Sequence, residues 1–205
     1  MTKKEQIEKF FEQFIKNFLV GDIVVLDRIQ KDTTTGLNAC TIPQAMAVIA
    51  GTDLLGYLFG DNKKADSSKE HINEFYRIVN EFGVLKRNYD KDTVDKIVLC
   101  RHGMMHHFFP KSKANNIGIC KSETEILFIK EIFEGTEIES LNVSVLTSDF
   151  ISTIPHFESS IAKSSDDKFW DNILSAMRDL RFSNELASAA ITMTTINIVP
   201  QNKRI

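Results

Sequence analysis

Apolar side chains recur at every third or fourth position through the first half of the chain, which is the spacing of an amphipathic α-helix. Thr2 and Glu5 have the form of a capping box, and Ser67 with Glu70 repeats it, so each pair predicts the start of a helix. Pro43 stands where the first turn of a helix tolerates proline. The expected helices are 3–19, a short one within 22–31, then 41–59, 67–83 and 92–109.

The pattern changes after residue 110, where short β-branched and aromatic runs are separated by turn-prone residues. Leu141, Val143 and Val145 alternate with polar residues, which is the period of a strand exposed on one face. The expected strands are 117–120, 126–133 and 138–146. A small antiparallel β-meander is the simplest arrangement of three such runs.

Helical spacing returns after residue 150 and extends to about residue 180. Pro155 should kink or break the first helix of this part, and Ser164 and Ser165 should cap the second. The tail at 191–199 is rich in Thr and Ile, so we expect an edge strand there that joins the meander.

These patterns predict an α+β fold, mainly a helical bundle with a small antiparallel β-meander in the C-terminal half. A chain of 205 residues that is 42% hydrophobic can bury a sizeable core, and we expect a single domain over 1–205. Its parts are a helical bundle portion at 1–110, the meander at 111–146, and C-terminal helices with the edge strand at 147–205.

Charge and cysteine content narrow the classes of function. The 25 basic and 28 acidic residues give a net charge of -3, which excludes a global electrostatic footprint for duplex DNA or an anionic membrane. Cys40, Cys100 and Cys120 form no CxxC spacing and lie in apolar runs, so they are interpreted as reduced, buried thiols.

The location of the protein follows from two segments. The N-terminal pattern contains Glu and Lys where a signal peptide has an uninterrupted apolar run. The apolar stretch 41–59 is near the minimum length of a membrane span, but Gln44 and Asp53 weigh against lipid exposure. We therefore expect a cytoplasmic protein with no membrane association.

Groups able to do chemistry near neutral pH concentrate at the end of the helix expected at 92–109, within the string RHGMMHHFFPK. This Arg/His cluster contains three of the five histidines, an arginine and the lysines that follow. Its members are Arg101, His102, His106, His107, Lys111 and Lys113. We interpret the last three as substrate-binding groups, because the two lysines add local positive charge that attracts phosphate.

The order of an arginine, a polar residue, three further residues and a histidine resembles the motif of the HEPN superfamily. The longer string also resembles one in uncharacterised bacterial proteins of similar size. The resemblance implies a helical bundle, often a homodimer, that cleaves RNA without a metal or cofactor. It implies that His106 is the general acid or base, that Arg101 binds phosphate and that His102 orients both. RNA or a nucleotide is then the expected partner.

The two main residues of this motif diverge on a regular helix. Residues five apart point about 140° away from each other, given roughly 3.6 residues per turn. Arg101 and His106 therefore need the reach of the arginine, a distortion at Gly103, or a second subunit. Together with the 15 phenylalanines, which can cover an interface as well as a core, this favours a homodimer.

Two other interpretations of the cluster stay open. In the first, the protein is a non-catalytic helical interaction protein, and Arg101 caps the helix or pairs with a carboxylate. In the second, His102 and His106 bind a metal with Cys100, although Gly103 stands where a zinc protease has its glutamate. We expect no metal. The remaining histidines, His71 and His156, are interpreted as ordinary surface or hydrogen-bonded residues.

Overall fold

Most of the described chain is helical, and a three-stranded sheet lies in its C-terminal half. The computed structural model describes residues 1–29, 40–61, 67–107, 117–133 and 135–180. The helices are α1 (Lys3–Phe10), which continues through a π-helical segment (Phe11–Val20) into α2 (Gly21–Arg28), α3 (Thr41–Phe59), α4 (Ser68–Glu81), α5 (Lys91–His107), α6 (Val143–Lys163) and α7 (Asp167–Asp179). The strands are β1 (Ile117–Cys120), β2 (Phe128–Phe133) and β3 (Thr136–Asn142). Helix makes up 71% of this part of the chain, so the prediction of an α+β, mainly helical fold is confirmed.

Helix α3 lies at the centre, in contact with α2, α4, α5, α6 and α7. Apolar side chains are buried on several sides of this helix, and Val48, Leu55 and Leu58 are at most 1% exposed. The buried Gln44 donates from Nε2 to Asp27 at 2.7 Å and to Thr147 at 2.9 Å, whereas its Oε1 has no hydrogen-bond partner among the described residues. Among the described residues, α3 is the one helix long and apolar enough to cross a membrane by length and composition, a test that the core helix of a soluble protein also passes.

Helices α3 and α4 approach each other closely at Gly56. A Cβ atom built on Gly56 would lie 1.8 Å from the carbonyl oxygen of His71 and 2.7 Å from its carbonyl carbon. The opposing atoms are backbone, so no rotamer change makes room. Helix α4 begins as expected, because the Ser67 hydroxyl accepts a hydrogen bond from the Glu70 amide at 3.3 Å. The absence of a side chain at Gly56 therefore sets the distance between the two helices.

The first helix is longer than expected. The capping box is confirmed, since Thr2 Oγ1 accepts from the Glu5 amide and the Glu5 carboxylate accepts from the Thr2 amide. The expected end near residue 19 and the separate helix within 22–31 are wrong. Gly21 adopts helical angles, φ -55° and ψ -49°, and the helix continues without a break because Ile15 and Ile23, both fully buried, extend its packed face.

The sheet is mixed, which corrects the expected antiparallel meander. Its order is β1-β3-β2, with β1 parallel to β3 and β2 antiparallel to β3. Strand β3 takes the centre because its C-terminal residues are buried, whereas Ile132 of β2 is 80% exposed and suits an edge. Gly118 of β1 pairs with Ser140 of β3, where a Cβ would lie 2.5 Å from the serine oxygen.

The chain changes from strand to helix at Asn142, so the strand expected at 138–146 ends early. Val143 and Val145 are both buried, but as part of α6 instead of one face of a strand. Asn142 is the N-cap of α6, and its Oδ1 accepts from the Ser144 amide at 3.3 Å. The alternation in the sequence was thus compatible with a helix buried on more than one side.

The same asparagine holds the loop between β1 and β2. Asn142 is fully buried, its Oδ1 also accepts from the Ser122 amide at 3.1 Å, and its Nδ2 donates to the carbonyls of Ser122, Thr124 and Ile126 at 3.2, 3.0 and 3.3 Å. Four hydrogen bonds from Asn142 to main-chain groups therefore connect the loop to the start of α6.

Two details of the last helices differ from expectation, and one segment stays untested. Helix α6 runs through Pro155 without ending there. The N-cap of α7 is Asp166, not Ser164 or Ser165, because the Asp166 carboxylate accepts from the Lys168 amide at 2.8 Å. The edge strand expected at 191–199 lies outside the described residues.

We predict that Gly56→Ala lowers the free energy of unfolding by about 3 kcal/mol, because the methyl group collides with the backbone of α4. Gly21→Ala is the matched control, since nothing lies within 4 Å of its Cβ position and Gly21 is helical. It should raise stability by about 0.5 to 1 kcal/mol. Urea unfolding measures both, and equal effects of the two substitutions would contradict the close-approach argument.

Candidate functional site

The Arg/His cluster begins near the C-terminal end of α5. The buried face of this helix carries Ile97, Cys100 and Met104, which are at most 2% exposed. The Arg101 side chain is 27% exposed, and His102 is exposed. The helix therefore turns its apolar face to the core and holds the first two residues of the motif beside it.

Arg101 pairs with a carboxylate from the central helix. Its Nη2 lies 3.2 Å from Oδ2 of Asp53 on α3. The other carboxylate oxygen, Oδ1, lies 2.9 Å from Nδ1 of His71 on α4. The Asp53 and His71 side chains are 18% and 14% exposed. One carboxylate thus joins three helices, and Arg101, Asp53 and His71 form a cluster that we call the Asp53 cluster.

The Asp53 cluster continues toward the last helix. The ring of Tyr57, one turn after Asp53, lies 4.8 Å from the ring of His71. The Tyr57 hydroxyl donates to Asp179 of α7 at 3.2 Å. His71 therefore has a carboxylate on one side and an aromatic ring on another, which restricts its orientation.

The structure tests only part of the predicted site. Residues 101–107 are helical, so no break at Gly103 turns Arg101 and His106 toward each other. His106 lies on α5 about 140° around the axis from Arg101. The side chains of His106 and His107 lie outside what the structure describes, and Lys111 and Lys113 lie outside the described residues.

Two members of the Asp53 cluster were missed by the sequence reasoning. Asp53 was noted only as a charge that disfavours a membrane span, and His71 only as an ordinary histidine. The available signal was a carboxylate in the middle of an apolar helix, because such a group needs a partner on a neighbouring element. Which element supplies the partner depends on helix packing.

The metal interpretation that includes Cys100 does not fit this geometry. Cys100 is fully buried, and burial, with a smaller contribution from Glu139, raises its thiol pKa to about 12. A metal ligand must be the thiolate. His102 lies about 200° around the helix from Cys100, on the exposed side. Within the described ranges, no group of three His, Cys, Asp or Glu side chains is placed to hold a metal ion.

A second polar cluster borders a cavity of about 1050 Å³ next to the N-terminal half of α6. Asp149 accepts from the Tyr89 hydroxyl at 2.6 Å and pairs with Arg87. Burial raises the pKa of Tyr89, and Tyr76 and Asp149 raise it further. Lys121 donates to the carbonyls of Leu26, Asp27 and Ile29 at the end of α2. The charges of Arg87 and Lys121 are therefore engaged by protein groups.

The chain matches no protein-family model, no curated protein and no solved structure.

His156, which belongs to neither the Arg/His cluster nor the Asp53 cluster, has a shifted pKa. His156 of α6 lies with its ring 5.0 Å from Phe82, and burial followed by the nearby Lys163 lowers its pKa. The folded state thus favours neutral His156. This contribution to stability is complete above the unfolded pKa of about 6.5 and is lost as the pH falls through the lower, folded pKa.

We predict that His156→Gln reduces the loss of stability in acid. Between about pH 7.5 and about pH 5, the free energy of unfolding of the wild type should fall more than that of the variant, because only the wild type must protonate this histidine on unfolding. Urea unfolding at several pH values measures the difference. Parallel curves for the two proteins would contradict the assignment.

Proposed function

We propose that the protein is a HEPN-like, metal-independent endoribonuclease that binds RNA or a nucleotide at the Arg/His cluster. In this proposal Arg101 binds phosphate, His106 transfers the proton and His102 orients them. The observation that carries the proposal is the partly exposed Arg101, whose guanidinium is held by Asp53 at 3.2 Å.

The state of Arg101 suits phosphate chemistry. Cleavage of RNA by its own 2′-hydroxyl builds negative charge on the phosphorus oxygens, and a fixed cation stabilises that charge. A guanidinium has five N–H donors in a rigid fork. Within the described part of the chain, its ion pair is with Asp53 through Nη2, and 27% of the side chain is exposed. Asp53 therefore holds the Arg101 guanidinium through one nitrogen, Nη2, while part of the Arg101 side chain is exposed to solvent.

The proposal includes a homodimer. Arg101 and His106 diverge on one uninterrupted helix, so a second α5 is the simplest source of a histidine facing Arg101. Leu99, His102 and His106 follow each other at helical spacing on one face of α5. Leu99 is 39% exposed and His102 is exposed, so this face offers an apolar contact beside polar groups.

A non-catalytic interaction protein is the second candidate. The ion pair of Arg101 with Asp53 favours it, because a structural role predicts that the arginine pairs with a carboxylate of a neighbouring helix. The two candidates differ in whether the wild type cleaves RNA and in what His106 does.

We predict that Arg101→Ala and His106→Ala each lower the cleavage of a mixed RNA pool by about 100-fold, through loss of charge stabilisation and of proton transfer. Cleavage by the wild type should survive a chelator. Arg77→Ala is the matched control, since Arg77 pairs with Glu74, Glu81 and Asp61 on an exposed surface, and its activity should be unchanged.

Thermal unfolding of the same variants separates the two candidates. A wild type that neither cleaves nor binds RNA, with a melting temperature that falls in Arg101→Ala, would favour the non-catalytic protein.

We predict that Leu99→Glu converts a dimer to a monomer at micromolar concentration and abolishes cleavage, because it places a charge on the proposed interface. Val25→Glu is the control, since Val25 is 59% exposed on a different helix, α2. Light scattering gives the masses. A wild type that is strictly monomeric would remove the shared-site form of the proposal.

A further inference from the structure

We propose, resting on the function proposed above, that Asp53 and His71 are positioning residues: His71 holds the Asp53 carboxylate, and Asp53 fixes the Arg101 guanidinium in the orientation that receives phosphate. Neither residue belongs to the Arg/His cluster of the sequence. Each comes from a different helix, α3 or α4, and each acts on the substrate only through Arg101.

The geometry at the carboxylate carries this inference. The two oxygens of Asp53 have different partners, with Oδ2 at 3.2 Å from Arg101 and Oδ1 at 2.9 Å from His71. A carboxylate with one partner can rotate about its Cβ–Cγ bond. Here the contact to His71 fixes that rotation, so the oxygen that meets the guanidinium has a defined position.

His71 is itself held on several sides. The Tyr57 ring lies 4.8 Å from the imidazole, and the His71 backbone is the surface that Gly56 contacts. Asp53, Gly56 and Tyr57 lie within about one turn of α3. A short stretch of the central helix therefore determines where both the backbone and the ring of His71 lie.

The desolvation of these charges indicates that the Asp53 cluster contributes more to the orientation of Arg101 than to the stability of the fold. All three side chains are less than a third exposed, so their charges lose much of their hydration on folding. Replacing such a group of charges by apolar side chains is often neutral or stabilising, because desolvation offsets the attraction. A partly buried carboxylate in an otherwise apolar helix therefore adds little that an apolar residue lacks, except a directed contact to Arg101.

The test measures kcat and KM for RNA cleavage together with unfolding. Asp53→Asn keeps the shape and removes the charge, and His71→Phe keeps the ring and removes the hydrogen bond. Each should lower kcat about 10-fold or more while KM stays within about twofold, because the guanidinium is misplaced in the transition state. His71→Asn retains a donor near the position of Nδ1 and should restore part of the rate. Asp61→Asn is the control at a 91% exposed carboxylate, and its kcat should be unchanged.

The decisive measurement combines the substitutions with Arg101→Ala. In that background, Asp53→Asn should cause no further loss of kcat, because no arginine remains to be positioned. An equal loss in both backgrounds would overturn the positioning role, since it would show that Asp53 acts independently of Arg101. So would an Asp53→Asn enzyme with normal kcat.

A second readout keeps this inference distinct from the proposed function. Hydrogen exchange of the Arg101 Nη2 protons, which face Asp53, reports the order of the guanidinium by NMR without any substrate. Exchange should be slow in the wild type and faster in Asp53→Asn and His71→Phe. Exchange that is unchanged by both variants overturns the inference even in an active nuclease. A wild type with an ordered Arg101 that neither cleaves nor binds RNA overturns the proposed function instead, and with it the phosphate-binding purpose of the order.

Discussion

The close approach of α3 and α4 at Gly56 is the constraint on which the rest of the structure depends. Because a glycine faces the carbonyl of His71, the two helices pack backbone against backbone, and His71 comes within 2.9 Å of Asp53. Asp53 in turn reaches Arg101 on α5. The packing of α3 against α4 in the core therefore determines which polar groups meet at the edge of the bundle. A substitution that disturbs this packing also changes the Asp53 cluster.

The fold was predictable where local chemistry decides it. Apolar residues around α3 and the cap at Ser67 place those helices within a residue or two of their actual bounds. The sheet was harder, because strand order depends on which strand the helices cover. The central place of β3 and the change to helix at Asn142 accompany the burial of the last residues of β3 and of Val143, which the alternation of Leu141 and Val143 does not encode.

The residues of the candidate site were likewise predictable from the sequence only in part. Arg101 and His102 stand out in the sequence because unusual residues crowd into one short string. Asp53 and His71 are 18 residues apart in the chain and do not resemble each other or any motif. They meet only because α3 and α4 pack in one particular register, and the positions of facing side chains across a helix pair follow from the whole core. Long-range polar contacts of this kind lie beyond what spacing along a single chain indicates.

Asn142 affects which substitutions the loop between β1 and β2 can tolerate. In the part of the chain that the structure describes, the hydrogen bonds of its side chain go to main-chain groups: the carbonyls of Ser122, Thr124 and Ile126 and the amides of Ser122 and Ser144. Every residue type other than proline presents these same groups, so the Asn142 hydrogen bonds do not depend on which side chains the loop carries. The loop also lines the cavity beside α6. Substitutions in the loop can therefore change the chemistry of that cavity wall without removing the main-chain groups that Asn142 binds.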